Sequence, residues 1–507
     1  MRRKRRSKVK ARKQPKVWNI PADQPDREVS PDLDETLSHL SNVWEKCHDL
    51  EIRRLDAGGN RLAIVWLDTL VDKLLLQEGI VEPLTRADRR IVSQAQLGNL
   101  LQVGSLQWKT GWRDVDACLA AGKVAVFAEG IAGAAIVELI KTPGRQVERP
   151  VVEAAVLGPQ EAFIEDIEQN IGLIRKRIRS PRLKMEMETR GTVTRTRIAL
   201  LYVEGIIKPS IVTELKQRLK KVQLDGILES NYVAEYIRDA PRTLFPTVQF
   251  TERPDVIASS LLQGRAVLLV DGSPMSILVP TTLFSFLQSS EDYYENYLVA
   301  TVIRVLRHVL FWLSMLLPAL YVALLSYHQE MLPSRLLITI AASHEGIPFP
   351  TVAEVLIMEV IFEALREAGL RLPRSIGQSV SIVGALVIGD AAVSAGLVSP
   401  LVVMVVSLTG IASFSVPYYH LGLTSRILRF IFIIDAGFFG LYGIILMVLL
   451  LLIHLASLRS FGVPYLAPIT PFVWSQAEDH KDLFFRAPFR NVKKRPHLYE
   501  PADKRIP

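Results

Sequence analysis

Apolar positions are spread very unevenly along the chain. Up to about residue 290 they occur in short runs among charged residues at ordinary soluble density. From about 298 to 458 they dominate in runs that a soluble core does not need but a bilayer span does. This pattern predicts an α/β soluble N-terminal half followed by an α-helical polytopic membrane domain. The divisions are a basic and Pro/Asp-rich tail at 1–36, two α/β subdomains at 37–160 and 161–290, a membrane domain at 291–458 and a polar tail at 459–507.

The soluble half reads as a duplication. RLAIVWLDT at 61–69 and RIALLYVEG at 197–205 are each a β-rich run ending in an acid, followed by a helical pattern. GKVAVFAEG at 122–130 and GRAVLLVDG at 264–272 share glycine, base, apolar strand, acid and glycine. The two pairs recur in the same order, at offsets of 136 and 142 residues, read from the numbering. Asp68, Glu129, Glu204 and Asp271 end these strands as turn caps or as candidate ligands. No dinucleotide or phosphate-loop fingerprint, nucleophile arrangement or metal triad is present in the sequence, so no enzyme, cofactor or metal is expected. The basic run at 175–182 reads as a solvated helix end.

In the apolar half, the first span is predicted at about 298–326. Arg304, Arg307 and His308 in its first turns are placed to snorkel to headgroups and hold the soluble half on the cytoplasmic side. A Gly/Pro-rich break at 343–350 precedes a helix at 351–370, on which Glu359, Glu363 and Glu367 share one face at i,i+4 spacing. That face suits the interface, a water-filled vestibule, the inside of an assembly or plain solvent. The 43 residues 376–418 carry one charge, Asp390, and read as two helices broken at Gly396–Pro400. Small residues, Gly384, Gly389 and Gly396 among them, allow close helix packing in the first. The last apolar region, 430–457, carries Asp435 and a glycine edge at Gly437, Gly440 and Gly443. Four spans would put both termini inside and leave Arg426 and Arg429 outside, against the charge rule.

Charge and cysteine change the picture in two places. The formal net charge is +8, and residues 1–16 hold ten Lys or Arg and no acid. Such a block does not fold alone and pairs best with anionic lipid. Nucleic acid and a merely solubilising tail are the other readings, and no nucleic-acid domain pattern accompanies it. Cys47 and Cys118 form no CxxC, which argues against a disulfide scaffold.

Several strings resemble one family, the A subunits of spore germinant receptors. They are SSEDYYENY at 289–297, SHEGIPFP at 343–350, EALREAGLRLP at 363–373, IGQSVSIVGALVIGDAAVSAGLVSP at 376–400 and LRSFGVPYLAP at 458–468. The resemblance spans roughly residues 40–490. It implies two cytoplasmic α/β subdomains and a multi-pass portion in the spore inner membrane. The implied partners are a transporter-like B subunit and a lipoprotein C subunit. The implied role is nutrient sensing that triggers ion release, with A subunits forming a homo-oligomeric ring. Asp390, Glu359, Glu363, Glu367 and Ser394 are the candidate pore or coupling residues. Gly384, Gly389, Gly396, Gly437 and Gly440 are the candidate packing positions. Asp390 stands where the family pattern has Gln, Ser394 where it often has Glu or Gln, and Asn296 where it has Arg. A non-conducting scaffold is the alternative, and an enzyme or secondary transporter fits less well.

Overall fold

The computed structural model describes residues 27–371, apart from 88–89, 140–149, 151–152 and 154, and then 389–470, 483–488 and 490. The basic block at 1–16 and Gly384 lie outside these residues. Helix α1 (Leu33–Val43) begins inside the stretch assigned to the tail, because Asp32 caps it by accepting from the Asp34 and Glu35 amides. Strands β1 (Leu50–Ala57), β2 (Asn60–Leu67), β3 (Leu106–Lys109), β4 (Val124–Ala128) and β5 (Ala134–Val137) follow, with α2 (Trp112–Ala120) between β3 and β4. They form an antiparallel sheet of order β1-β2-β4-β5-β3.

The second subdomain repeats this plan. Helix α3 (Ile167–Arg177) is capped by Asp166, and β6 (Leu183–Arg190), β7 (Thr196–Val203), β8 (Gln249–Thr251), β9 (Ala266–Val270) and β10 (Ser276–Val279) follow, with α4 (Pro254–Leu262) before β9. Their order is β6-β7-β9-β10-β8, the same wiring. The matching extends to side chains. Arg61 bonds Asp34 at 2.8 Å and Glu129 at 3.5 Å, and Arg197 bonds Glu168 at 2.9 Å and Asp271 at 3.0 Å. Gly130 and Gly272, both in left-handed turns, donate their amides at 2.9 Å to the carbonyls of Pro31 and Glu165, just before the caps. The strand-end acids are therefore ion-pair partners: Asp68 takes Lys73 and Glu204 takes Lys184.

A buried ion pair joins the two subdomains. Arg175 donates from Nε and Nη2 to the two oxygens of Asp49, each at 2.8 Å, with both side chains 1% exposed. Within the basic run at 175–182, read as a solvated helix end, Arg175 points inward under Trp44, while Lys176 and Arg179 stay exposed. Beside it, the Lys46 carbonyl and His48 amide pair with Met185 and cover the free edge of β6.

Helix α5 (Tyr297–Ser326) leaves the soluble half and is long and apolar enough to cross a membrane. Arg304 and Arg307 do not snorkel from it. Both fold onto buried Asp292 of the EDYY segment, at 3.2 and 3.0 Å. Neighbouring Tyr294 donates to Asp255 at 2.6 Å, and Asp255 in turn holds Arg253 at 2.8 Å. Helices α6 (Ser334–His344), α7 (Thr351–Arg371), α8 (Pro400–Ser413) and α9 (Tyr419–Ser457) join it in a bundle among the described residues.

Helix α9 is a hairpin. At Gly440 the backbone turns to φ 60°, ψ −142°. Thr424 donates to the Leu244 carbonyl at 2.6 Å, and His454 bonds Thr243 at 2.9 Å. In a straight helix those residues would lie roughly 45 Å apart. The arms 419–439 and 441–457 therefore run out and back, with Tyr327, just past the end of α5, meeting the apex. Residues 459–470 are no free tail: Ser460 donates to the Thr247 carbonyl, the Phe461 amide donates to Asp239, and Tyr465 is fully buried.

Two predictions follow from the soluble half. Arg175→Ala leaves Asp49 buried without its partner and lowers stability by about 3–5 kcal/mol. An apolar Arg175→Met, Asp49→Leu pair recovers most of it. Denaturant unfolding of the full chain, read by tryptophan fluorescence, measures both. Separately, burial pushes the Glu153 carboxyl up to about 8 from an ordinary 4.5, against the Thr251 hydroxyl and Arg253, which favour the anion. The folded chain then holds a proton between those values that the unfolded chain has lost, so stability falls as pH rises through that window. Glu153→Gln removes that fall, and its melting midpoint exceeds that of the unmodified chain at pH 8 but not at pH 4.5.

Candidate functional site in the helical half

The acid-bearing helix α7 lies inside the bundle, antiparallel to the first arm of α9. Val352 packs on Gly437, Glu359 on Arg429 and Glu363 on Arg426. Arg429 Nη1 donates to Glu359 Oε2 at 2.7 Å, and its Nε donates to the Ser314 carbonyl of α5 at 2.7 Å. Both charged side chains are 0% exposed, so one ion pair ties three helices together. Glu359 Oε1 and Arg429 Nη2 find no hydrogen-bond partner among the described residues. Glu363 takes Arg366 at 3.3 Å and Arg426 at 3.4 Å. Arg366 also donates to Ser413 of α8 and lies over the rings of Phe362 and Phe414. Glu367 is exposed and pairs with Arg371 at 2.7 Å. Arg426 and Arg429 are thus paired within the bundle by the glutamates of α7.

At the end of the bundle away from the soluble half, Glu354 is buried. It accepts from the Ser399 amide at 3.0 Å, and His344 Nδ1 lies 3.1 Å from its other oxygen. The other ring nitrogen of His344, Nε2, faces the Tyr321 hydroxyl at 3.3 Å. Sequence reasoning passed over this group. Its signal was the histidine inside the SHEGIPFP break, ten residues before Glu354.

Residues 389–394 are helical. Asp390 and Ser394 lie one turn apart, and both are exposed. Gly389 turns inward, where a Cβ would meet Val403 at 3.5 Å. Gly396 sits in the following turn at φ 63°, the break expected before Pro400. Gly437 is a close-approach position: a Cβ there would lie 2.8 Å from Val352. Gly440 is instead the hairpin apex. Asn296 caps α5 by accepting from the Leu298 amide at 3.0 Å. No group of three or more His, Cys, Asp or Glu side chains able to hold a metal ion occurs among the described residues.

Residues 38–498 match the model of the Bacillus/Clostridium GerA spore germination protein family. The chain belongs to the GerA family. Spore germination protein KA of Bacillus subtilis is 42% identical to this GerA chain over 94% of it and 88% of that protein. Uncharacterized membrane protein YfkQ of the same organism is 40% identical over 94% and 93%. Among solved structures, the N-terminal domain of the A subunit of the Bacillus megaterium spore germinant receptor GerK3 aligns at 28% identity and a TM-score of 0.39, covering 51% of this chain and 98% of that one.

The bundle gives a third prediction. Arg429→Met strands Glu359 in the interior and lowers bundle stability by about 3–5 kcal/mol. Adding Glu359→Leu recovers much of the loss. Thermal unfolding of the detergent-solubilised chain, as a double-mutant cycle, reads the coupling.

Proposed function

We propose that this chain is the A-type subunit of a nutrient germinant receptor in the spore inner membrane, converting nutrient binding into ion release. The observation that carries the reading is the match to the GerA family along nearly the whole chain, at up to 42% identity among the relatives named above. The helical half crosses the bilayer several times, with the soluble half on the cytoplasmic side. Support comes from the apolar helices, from the hairpin that returns to the soluble half, and from the word membrane in the name of one relative. The B subunit, the C lipoprotein and further A subunits are its partners, and the basic tail at 1–16 lies on anionic lipid.

In this reading a ring of A subunits conducts ions, and like side chains from each copy line the path. Asp390 and Ser394 suit that place, being exposed on one helix face. Glu359 and Glu363 serve coupling, through the arginines that join α7 to α9. Exposed Glu367 extends the same face. The alternative is a non-conducting scaffold that couples the other subunits to downstream proteins, favoured by the size of the soluble half.

Ion flux into liposomes holding the receptor decides between them. The unmodified chain conducts, and Asp390→Ala abolishes the flux or changes its ion preference with assembly intact. Flux indifferent to the substitution removes Asp390 from the pore. No flux from either, with the B and C subunits and a germinant present, favours the scaffold.

A further inference from the structure

Helix α5 is longer than a bilayer needs. Residues 307–326 already make ~30 Å of helix, the depth of a hydrocarbon core, and polar His328, Gln329 and Glu330 follow at once. The soluble half reaches the inner end of that stretch. Arg307 donates to the Leu287 carbonyl at 2.8 Å, and His308 lies against the Phe284 ring. Thr424, held by Leu244, comes five residues before the arginine that meets Ser314 of α5. The first turns of α5, 297–306, therefore stand roughly 15 Å outside the core, alongside the second subdomain.

Those turns are covered on one side only. Ala300, Arg304 and Arg307 are buried, while Leu298, Val299, Val302, Ile303, Val305 and Leu306 are 36–68% exposed. The segment at 483–488 touches α5 beside this stripe, with the Arg486 amide on Thr301 and the Phe484 ring near His308, and leaves it exposed. The bare apolar surface is on the order of 500 Å², more than half of the ~800 Å² that each partner of a stable contact buries.

The stripe also says what covers it. It carries no charge, because Arg304 and Arg307 fold back onto Asp292. A neutral apolar stripe is matched by another like it, and a second copy in the same bilayer presents one in parallel. The spacing fits that meeting. Val299, Val302, Leu306, Val309 and Leu313 follow the three–four rhythm of a coiled-coil seam. Leu298, Ile303 and Val305 flank it where a two-stranded coil carries charge, which widens the seam for a neighbour on each side.

We propose that α5 packs in parallel on α5 of neighbouring copies through this stripe. The proposal rests on the membrane and A-subunit readings above, names the surface that joins the copies, and does not depend on conduction.

Disulfide trapping in the full chain in liposomes tests it, with Cys47 and Cys118 replaced by serine. Val302→Cys forms a dimer on mild oxidation, since a parallel seam in register brings like residues together. Ile445→Cys, exposed on the returning arm of α9, does not. Val302→Glu with Leu306→Glu shifts the detergent-solubilised chain from oligomer to monomer by light scattering and keeps its helix content. Hydrogen exchange of the unmodified chain at 298–306, slowing as protein concentration rises, serves if a variant fails to fold. An oligomer that persists in the double variant, with no Val302→Cys dimer, overturns the seam and leaves the A-subunit reading standing. A benzophenone on the Val302→Cys thiol that marks the B or C subunit, again with no dimer, overturns it in favour of that partner. A chain that stays monomeric with both other subunits present overturns seam and ring together, and one dispersed without detergent refutes the membrane reading.

Discussion

Removing a charge from water costs several kcal/mol, and a buried arginine is tolerated only where a partner meets it in good geometry. Arg429 meets that condition with Glu359 and the Ser314 carbonyl, and so fixes the spacing of α5, α7 and the outgoing arm of α9. The register of α7 against that arm follows, with Val352 on Gly437 at one end and Glu363 on Arg426 at the other. Small residues close the remaining gaps: Ala319, Ala323 and Ala436 are fully buried in the apolar cluster around Phe432. Apolar contacts are non-directional and fix no register by themselves. Polar locks of this kind therefore carry much of its specificity.

The same economy appears where the two halves meet. Asp292 gathers Arg304 and Arg307 at the start of α5, and Tyr294 ties the segment to Asp255 of the second subdomain. Residues 239–250 of that subdomain hold both ends of the α9 hairpin, through Leu244 and Phe250 at the outgoing end and Thr243, Thr247 and Asp239 at the returning end. The segment at 483–488 adds a clamp, as Arg486 donates to the Glu295 and Tyr293 carbonyls beside the same joint.

In the soluble half two subdomains of the same wiring keep the same physics in different sequences. The strands share wiring, and each copy retains an arginine between two acids, but the acids have exchanged identity, Asp34 and Glu129 against Glu168 and Asp271. Arg175 and Asp49 break the symmetry, because they serve the contact between copies rather than the interior of either.

Local pattern alone determined a good deal. The strand–acid–turn strings at 61–69, 122–130, 197–205 and 264–272 located matching strands, since short continuous apolar runs and turn chemistry are local properties. The apolar run ending at Ser326 and the acid-bearing run from Thr351 gave helices within a residue or so of those observed, since length and composition suffice for that. Partners were not legible. Nothing near Arg175, Arg304, Arg429 or Glu359 in the chain says that each is buried, because each partner lies twelve to 126 residues away. Nor does composition tell a long helix from a hairpin, since 430–457 reads as one apolar run until Gly440 turns left-handed. Only the tertiary structure decided these, because the cost of a buried charge or a broken helix is met by groups that folding brings together.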